Sequence, residues 1–289
     1  MPDITRPDGA VIHYEVFGRG HPLLLIAPGG VNSEIGFWER SRINPIKEFA
    51  DEFMVIGMDQ RHAGKSWNAP PTFSYDLTAA DQVAVLDHAG VERAHVWGGC
   101  IGVGYVLKLV HHAPGRISAA VGQDPVGMDQ TNSIATFTAM FQPTLELARR
   151  EGTAAVVQSA LGGPMFMANN AGGPFARRIV ADTAFRARIS AMTADEYIGL
   201  VQAFSRGIWP EGSPFFTVDR PWMATCPVPL LILPGNDAFH PTGIAREICR
   251  TAPRSRCLDV DCRSDEKRPA TIQTIRAFLQ EHARQSAKA

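Results

Sequence analysis

Consecutive apolar residues recur in short blocks along two parts of the chain. Residues 23–27 (LLLIA), 54–58 (MVIGM), 94–97 (AHVW), 117–121 and 230–233 (LLIL) carry almost no polar alternation. Runs of this length without alternation predict strands covered on both faces. Residues 11–17 alternate apolar and polar positions instead, which predicts an edge strand. Between the blocks the spacing turns helical. Residues 37–49 form one candidate helix, disturbed by Pro45. Residues 76–89 form another, with Leu77, Ala80, Val83, Ala84 and Leu86 at apolar positions and Gly90 as its stop. Residues 103–112, 242–251 and 269–284 complete the set, with a short strand near 257–260. Strands alternating with helices predict an α/β fold with a mostly parallel, doubly wound sheet. Its functional site is expected where the strands end at their C-termini.

From about residue 127 to 226 the strand blocks disappear. Helical stretches at 134–150, 175–192 and 194–204 alternate with breaks such as Gly162-Gly163-Pro164 and Gly172-Gly173-Pro174. The expected organisation is a sheet domain built from residues 1–126 and 227–289, with a helical cap inserted at 127–226. Phe137, Met140, Phe141, Met165, Phe166, Met167, Phe204 and Trp209 make the cap apolar, as suits a small and largely apolar ligand.

Composition narrows the function classes. Of 289 residues, 45% are hydrophobic and 20% charged, with a net charge of −1, so a large core is expected and disorder is not. No basic stripe points to nucleic acid, and no apolar run is long enough to span a bilayer. The first residues, MPDITRPDGA, lack the layout of a secretory signal, and five cysteines without paired spacing suit a reducing cytoplasm. Neither a CxxC pair nor an HExxH is present, so no metal and no cofactor is expected. The expected partner is a small-molecule substrate, and a homo-oligomer is compatible with the sequence.

The strongest chemical signal is Gly98-Gly99-Cys100-Ile101-Gly102. It follows a strand block and opens a helix. A G-x-nucleophile-x-G pattern in that setting is a sharp turn that lifts one side chain out of the sheet. Here the raised residue is a cysteine. The bland alternative is a buried thiol in an elbow that has lost its chemistry.

Together with three further stretches, this elbow resembles the α/β-hydrolase superfamily. Leu25-Ile26-Ala27-Pro28-Gly29-Gly30 is similar to the strand and loop that supply half of that family's oxyanion hole. Residues 59–66 (DQRHAGKS) resemble D-x-R-G-x-G-x-S, with His62 in place of a glycine. Leu233-Pro234-Gly235-Asn236-Asp237, followed by Pro241, resembles the loop that carries the triad acid. The resemblance implies Cys100 as nucleophile, Asp237 as acid, and the backbone N–H groups of Gly30 and Ile101 as the oxyanion hole. It also implies a histidine between the last strand and the closing helix. Residues 258–269 (LDVDCRSDEKRP) contain none, and His282 lies too far along the last helix.

Two histidines could replace it by position. His240 follows Asp237 in the acid loop, and His62 lies in the loop beside the expected oxyanion hole. Each could instead be an ordinary loop residue. His111 and His112 suit the end of a helix, where they complement its dipole. Asp124, at the end of a strand, is either a further polar site residue or a turn residue before Pro125. Cys262 near the missing histidine's place reads as an inert thiol rather than a redox partner for Cys100. The expected activity is a cysteine-nucleophile hydrolase or acyl transferase acting on a small, largely apolar ester, lactone or thioester. The alternatives are a non-covalent enzyme on the same fold (isomerisation, elimination or C–C cleavage) and a non-catalytic small-molecule binding protein.

Overall fold

The computed structural model describes residues 2–163, 166 and 168–286. Its strands are β1 (Asp3–Thr5), β2 (Val11–Phe17), β3 (His21–Ile26), β4 (Phe53–Met58), β5 (Ala94–Gly99), β6 (Ile117–Gln123), β7 (Leu230–Leu233) and β8 (Ser255–Cys257). They form an eight-stranded sheet in the order β1-β2-β4-β3-β5-β6-β7-β8. The pairs β1–β2 and β2–β4 are antiparallel, and every pair from β4 across to β8 is parallel.

The apolar blocks are apolar throughout because both sheet faces are covered. Leu24, Ile26 and Val96 face one core, against α2 (Tyr75–His88) and α3 (Ile101–His112). Leu23, Leu25 and Trp97 face a second, shared with Phe49 of α1 (Pro45–Phe49) and with Ile275 and Leu279 of α11 (Arg268–Ser286).

Three elements depart from the sequence expectation. β2 is not an edge strand but lies between β1 and β4. Its polar position His13 is buried because its ring pairs with Asp3 at 2.7 Å and with Glu15 at 3.0 Å. The helix expected over 37–49 is two pieces, a 3-10 turn at Ile35–Arg40 and α1. Pro45 cannot donate inside a helix and instead opens one, with the Asn44 side chain accepting the Ile46 N–H at 3.0 Å. α2 turns a polar face inward. Leu77 is exposed, while Asp81 is buried and takes two bonds from Arg61, at 2.8 and 2.9 Å. The loop after β4 therefore braces α2 through charge rather than through apolar packing.

Between β6 and β7 the described residues form helices and no strand. They are α4 (Ile134–Thr138), α5 (Gln142–Gly162, broken at Gly152), α6 (Ala176–Ala181), α7 (Thr183–Ala191), α8 (Ala194–Ile208) and α9 (Arg220–Met223). The helix expected over 175–192 divides at Asp182, whose carboxylate accepts the Phe185 N–H at 2.9 Å and starts α7. This helical stretch is tied to the sheet by Arg177 on Glu34 and by the Tyr75 hydroxyl donating to the Ile208 carbonyl at 2.8 Å. Met165 and Met167 lie outside the described residues. After β7 come α10 (Thr242–Thr251), β8 and α11.

Packing at the elbow leaves no room for a side chain at either flanking glycine. A Cβ on Gly98 would lie 2.3 Å from the Gly102 carbonyl oxygen, and one on Gly102 would lie 2.4 Å from the Ile26 carbonyl oxygen. Both obstacles are backbone, so neither can swing aside. Gly102→Ala is expected to destabilise the fold by about 3 kcal/mol or more, as measured by urea denaturation. Gly199→Ala, in α8 with open space around it, is expected to be neutral or to stabilise by up to ~1 kcal/mol.

Candidate active site

The parallel strands β3, β5, β6 and β7 end at the same edge of the sheet, and each delivers one part of the site. β3 runs into Pro28-Gly29-Gly30, β5 into Cys100, β6 into Asp124 and β7 into the loop that holds Asp237 and His240. All of these residues line one cavity of about 710 Å³. Met140, Phe141, Phe166, Phe204, Ile208 and Trp209 close it from the helical side. Phe137 does not line the cavity. It is fully buried, with its ring 4.8 Å from Trp209 and 4.9 Å from Phe216.

Cys100 sits at the start of α3 with φ 56° and ψ −125°. A non-glycine residue is strained there, and the two flanking glycines together with the Cys100 N–H bond to the Gln123 carbonyl (2.8 Å) hold it in place. Ile101 is the first residue of α3, so its N–H has no carbonyl partner within the helix. Gly30 lies across from it. A Cβ built on Gly30 would be 4.0 Å from the Ile101 side chain. The two expected oxyanion donors thus belong to neighbouring residues on the wall that holds the sulfur.

Asp237 and His240 form the second half of the site. The loop is shaped by Asp237 itself, whose Oδ1 accepts the N–H of Phe239 at 2.9 Å and of His240 at 3.0 Å. This turn brings the His240 ring back onto the same carboxylate, with Nδ1 2.8 Å from both oxygens. Nε2 is buried and has no hydrogen-bond partner among the described residues. Cys100 lines the same cavity, and its sulfur acts on the charge of the ring. Burial works against a charge on His240, but the sulfur and the Asp237 carboxylate outweigh it and hold the imidazolium up to about 10. Burial likewise works against ionisation of Asp237, and its bonds from His240 more than compensate, so its carboxyl is held below the usual range. The Asp237 side chain is 59% exposed and the His240 side chain 19%, so the acid meets solvent while the ring faces inward.

His62 is placed elsewhere. It does not line the cavity among the described residues. Its Nε2 is 2.9 Å from the Thr72 carbonyl and its ring packs edge-on against Phe204. Burial lowers its titration to about 4, which keeps the ring neutral. The rest of the motif around it is also structural. The Asp59 carboxylate accepts the N–H groups of Ile35 and Lys65, both at 2.7 Å.

Asp124 does line the cavity, as one half of an ion pair. Both of its carboxylate oxygens accept from the guanidinium of Arg263, which also donates to the Pro234 carbonyl at 3.1 Å. Arg263 falls in the stretch 258–269 where the family resemblance implies a histidine, and sequence reasoning passed over it. The available signal was an acid at a strand terminus that needs a partner once folded. Cys262 beside it is buried in the second core, and burial pushes its thiol up. His111 ends α3 with its ring 5.4 Å from Trp222, and His282 bonds Gln285 on α11 at 3.1 Å.

Comparison with known proteins matches this geometry at the level of family and fold. Residues 22–198 match a family model described as alpha/beta hydrolase fold. Among curated relatives, a protein named as a carbamate hydrolase (RutD) from Azorhizobium caulinodans is 37% identical over 108 residues, covering 37% of this chain and 38% of that protein. A non-heme haloperoxidase from Rhodococcus erythropolis is 31% identical over 136 residues, covering 46% of this chain and 48% of that protein. The chain therefore spans less than half the length of these relatives. Among solved structures, a meta-cleavage product hydrolase from Pseudomonas fluorescens IP01 superposes with a TM-score of 0.65 at 16% identity, covering 97% of this chain and 98% of that one. At that identity the likeness is one of fold. A family match over more than half the chain makes this protein a member of the alpha/beta hydrolase fold family.

Proposed function

We propose that this protein is a cysteine-dependent hydrolase or acyl transferase for a small, largely apolar ester, lactone or thioester, with Cys100, His240 and Asp237 as its catalytic residues. The observation that carries this reading is the convergence of Cys100 and the Asp237-bound His240 ring in one cavity.

The chemistry follows from that pairing. Proton transfer from the thiol to His240 gives a thiolate beside an imidazolium. The sulfur attacks the carbonyl carbon, and the carbonyl π electrons move onto oxygen. The N–H groups of Ile101 and Gly30 hold that oxyanion, typically worth ~3–4 kcal/mol per donor. As the oxyanion collapses, the bond to the leaving group breaks and His240 gives that group its proton. This leaves a thioester on Cys100 and a neutral imidazole. The imidazole then takes a proton from water, or from an acceptor alcohol or thiol, which attacks the thioester and releases the product. Asp237 keeps Nδ1 occupied so that Nε2 faces the sulfur and the leaving group.

The stretch 127–226 acts in this reading as a cap that sets substrate size. Its aromatic and methionine side chains suit an apolar acyl or alkyl group. Trp209 Nε1 and Gln123 Oε1, both on cavity-lining residues, are buried and unpaired among the described residues. They offer one donor and one acceptor for a polar substituent. The relative named for carbamate hydrolysis supports a carbonyl substrate.

In assays on a panel of p-nitrophenyl esters, aryl thioesters and small lactones, Cys100→Ala is expected to abolish turnover. Rapid quenching of the wild type, followed by intact mass measurement, is expected to show one acyl group on the Cys100 peptide. Turnover that survives Cys100→Ala, with no acyl adduct in the wild type, would refute the reading. The pH dependence is a separate expectation. A group raised to about 10 keeps its proton at neutral pH and loses it as the pH rises through that value. The kcat profile is therefore expected to hold through neutral pH and fall near pH 10. Asp237→Asn is expected to move that alkaline limb to lower pH and to reduce kcat by roughly 10–100-fold.

A further inference from the structure

We infer that Arg263, paired with Asp124, is a positioning residue that keeps His240 directed at Cys100. This inference rests on the cysteine–histidine reading above and concerns what holds that histidine in place.

His240 comes from an unusual position, because it shares one short loop with its own acid. Asn132 ties the loop at Ala238, its Nδ2 donating to that carbonyl at 2.9 Å, but the root of the loop at Pro234 needs separate fixation. The structure supplies that fixation from the side. Arg263, on the segment between β8 and α11, spans two strand ends. Its guanidinium donates to both oxygens of Asp124 at the end of β6, and to the carbonyl of Pro234 at the end of β7. The backbone N–H of Asp124 in turn donates to the Leu233 carbonyl at 2.8 Å. Asp124 holds a φ of 51°, a conformation that most side chains avoid, so its carboxylate is placed by the fold.

Gly235 shows how closely this pair lies against His240. A Cβ there would sit 2.4 Å from His240 Cβ, 2.7 Å from the His240 carbonyl oxygen and 3.1 Å from Asp124 Oδ1. The Asp124 carboxylate and the His240 backbone thus both border the small space that Gly235 leaves open. The Gly235 carbonyl is itself fixed, accepting from the Thr242 hydroxyl at 2.7 Å. Two carboxylates therefore lie near the histidine, Asp237 on its ring and Asp124 by its Cβ and backbone carbonyl, and an imidazolium is attracted to both. A bidentate guanidinium on Asp124 occupies its lone pairs and cancels its charge. Asp237 is left as the carboxylate that His240 pairs with. Arg263 acts in two ways at once, pinning the root of the loop at Pro234 and removing the competing acid.

The test compares Arg263→Met, Arg263→Lys and Asp124→Asn/Arg263→Met with the wild type and with His240→Ala. It reads kcat and KM on whichever ester of the panel the wild type turns over, and the rate of Cys100 alkylation by iodoacetamide at pH 7. Arg263→Met is expected to lower kcat and the alkylation rate at least tenfold, with KM changed less than threefold. The alkaline limb of kcat is expected to shift, because His240 then has a second carboxylate to choose. The double variant, which lacks the orphaned acid, and Arg263→Lys, which keeps a cation, are each expected to recover part of the loss. If Arg263→Met does not fold, Arg263→Lys and the double variant carry the same comparison.

Wild-type kcat, alkaline limb and alkylation rate in Arg263→Met would overturn the inference. So would equal losses in all three variants together with lowered melting temperatures, which mark a merely structural pair. An alkylation rate unchanged by His240→Ala would instead overturn the cysteine–histidine reading on which the inference rests, so the two failures are distinct.

Discussion

The contact on which the site depends is steric rather than polar. α3 meets β3 and β5 where Gly102 and Gly98 leave no room for a single methyl group. This close approach forces the chain at Cys100 into a backbone conformation that a cysteine does not choose alone. The strain is sustained because apolar packing on both faces of the sheet fixes the three elements independently. The sulfur therefore has one position relative to the ends of β3, β6 and β7, and every other group of the site is set against it.

Around that point the molecule distributes charge in pairs, each with its own task. Arg61 and Asp81 brace α2 against the loop after β4. Arg177 and Glu34 join the helical stretch to the sheet side. Asp124 and Arg263 stand at the cavity beside the loop of Asp237 and His240. The first pair is closed to solvent, where breaking one partner is costly, and it serves the fold. The Asp237–His240 pair at the cavity is partly open, which suits groups whose protonation has to change. His62 and His240 show the same contrast within one residue type. Burial, aided by the charges of Arg178 and Arg61, drives His62 down to about 4, while a carboxylate and a sulfur hold His240 up to about 10.

The sheet was legible in the sequence because both of its faces are covered, so its strands read as unbroken apolar runs. β2 was misplaced because His13 and Glu15, polar in sequence, satisfy one another beside Asp3 rather than facing water. The helix expected over 37–49 is interrupted for a local reason, since Pro45 starts a helix rather than disturbing one. At the candidate site, the gathering of Gly30, Cys100, Ile101 and Asp237 around one cavity was legible because the elbow and the acid loop are short, contiguous motifs. His240 was legible only as one of two candidates. The choice against His62 depends on a fold that places residue 62 behind Phe204 and residue 240 across from residue 100. Arg263 was not legible, because its partner is far away along the chain and no local pattern announces a guanidinium that binds the end of another strand.

The central claim is that His240 is charged because it faces the sulfur of Cys100 as well as the carboxylate of Asp237. The most direct measurement is an NMR titration of the His240 imidazole in the wild type and in Cys100→Ala. The account predicts an imidazolium that persists to about pH 10 in the wild type and titrates at clearly lower pH once the sulfur is removed. A His240 that titrates near the ordinary histidine value of ~6.5 in the wild type, with the same midpoint in Cys100→Ala, would contradict it.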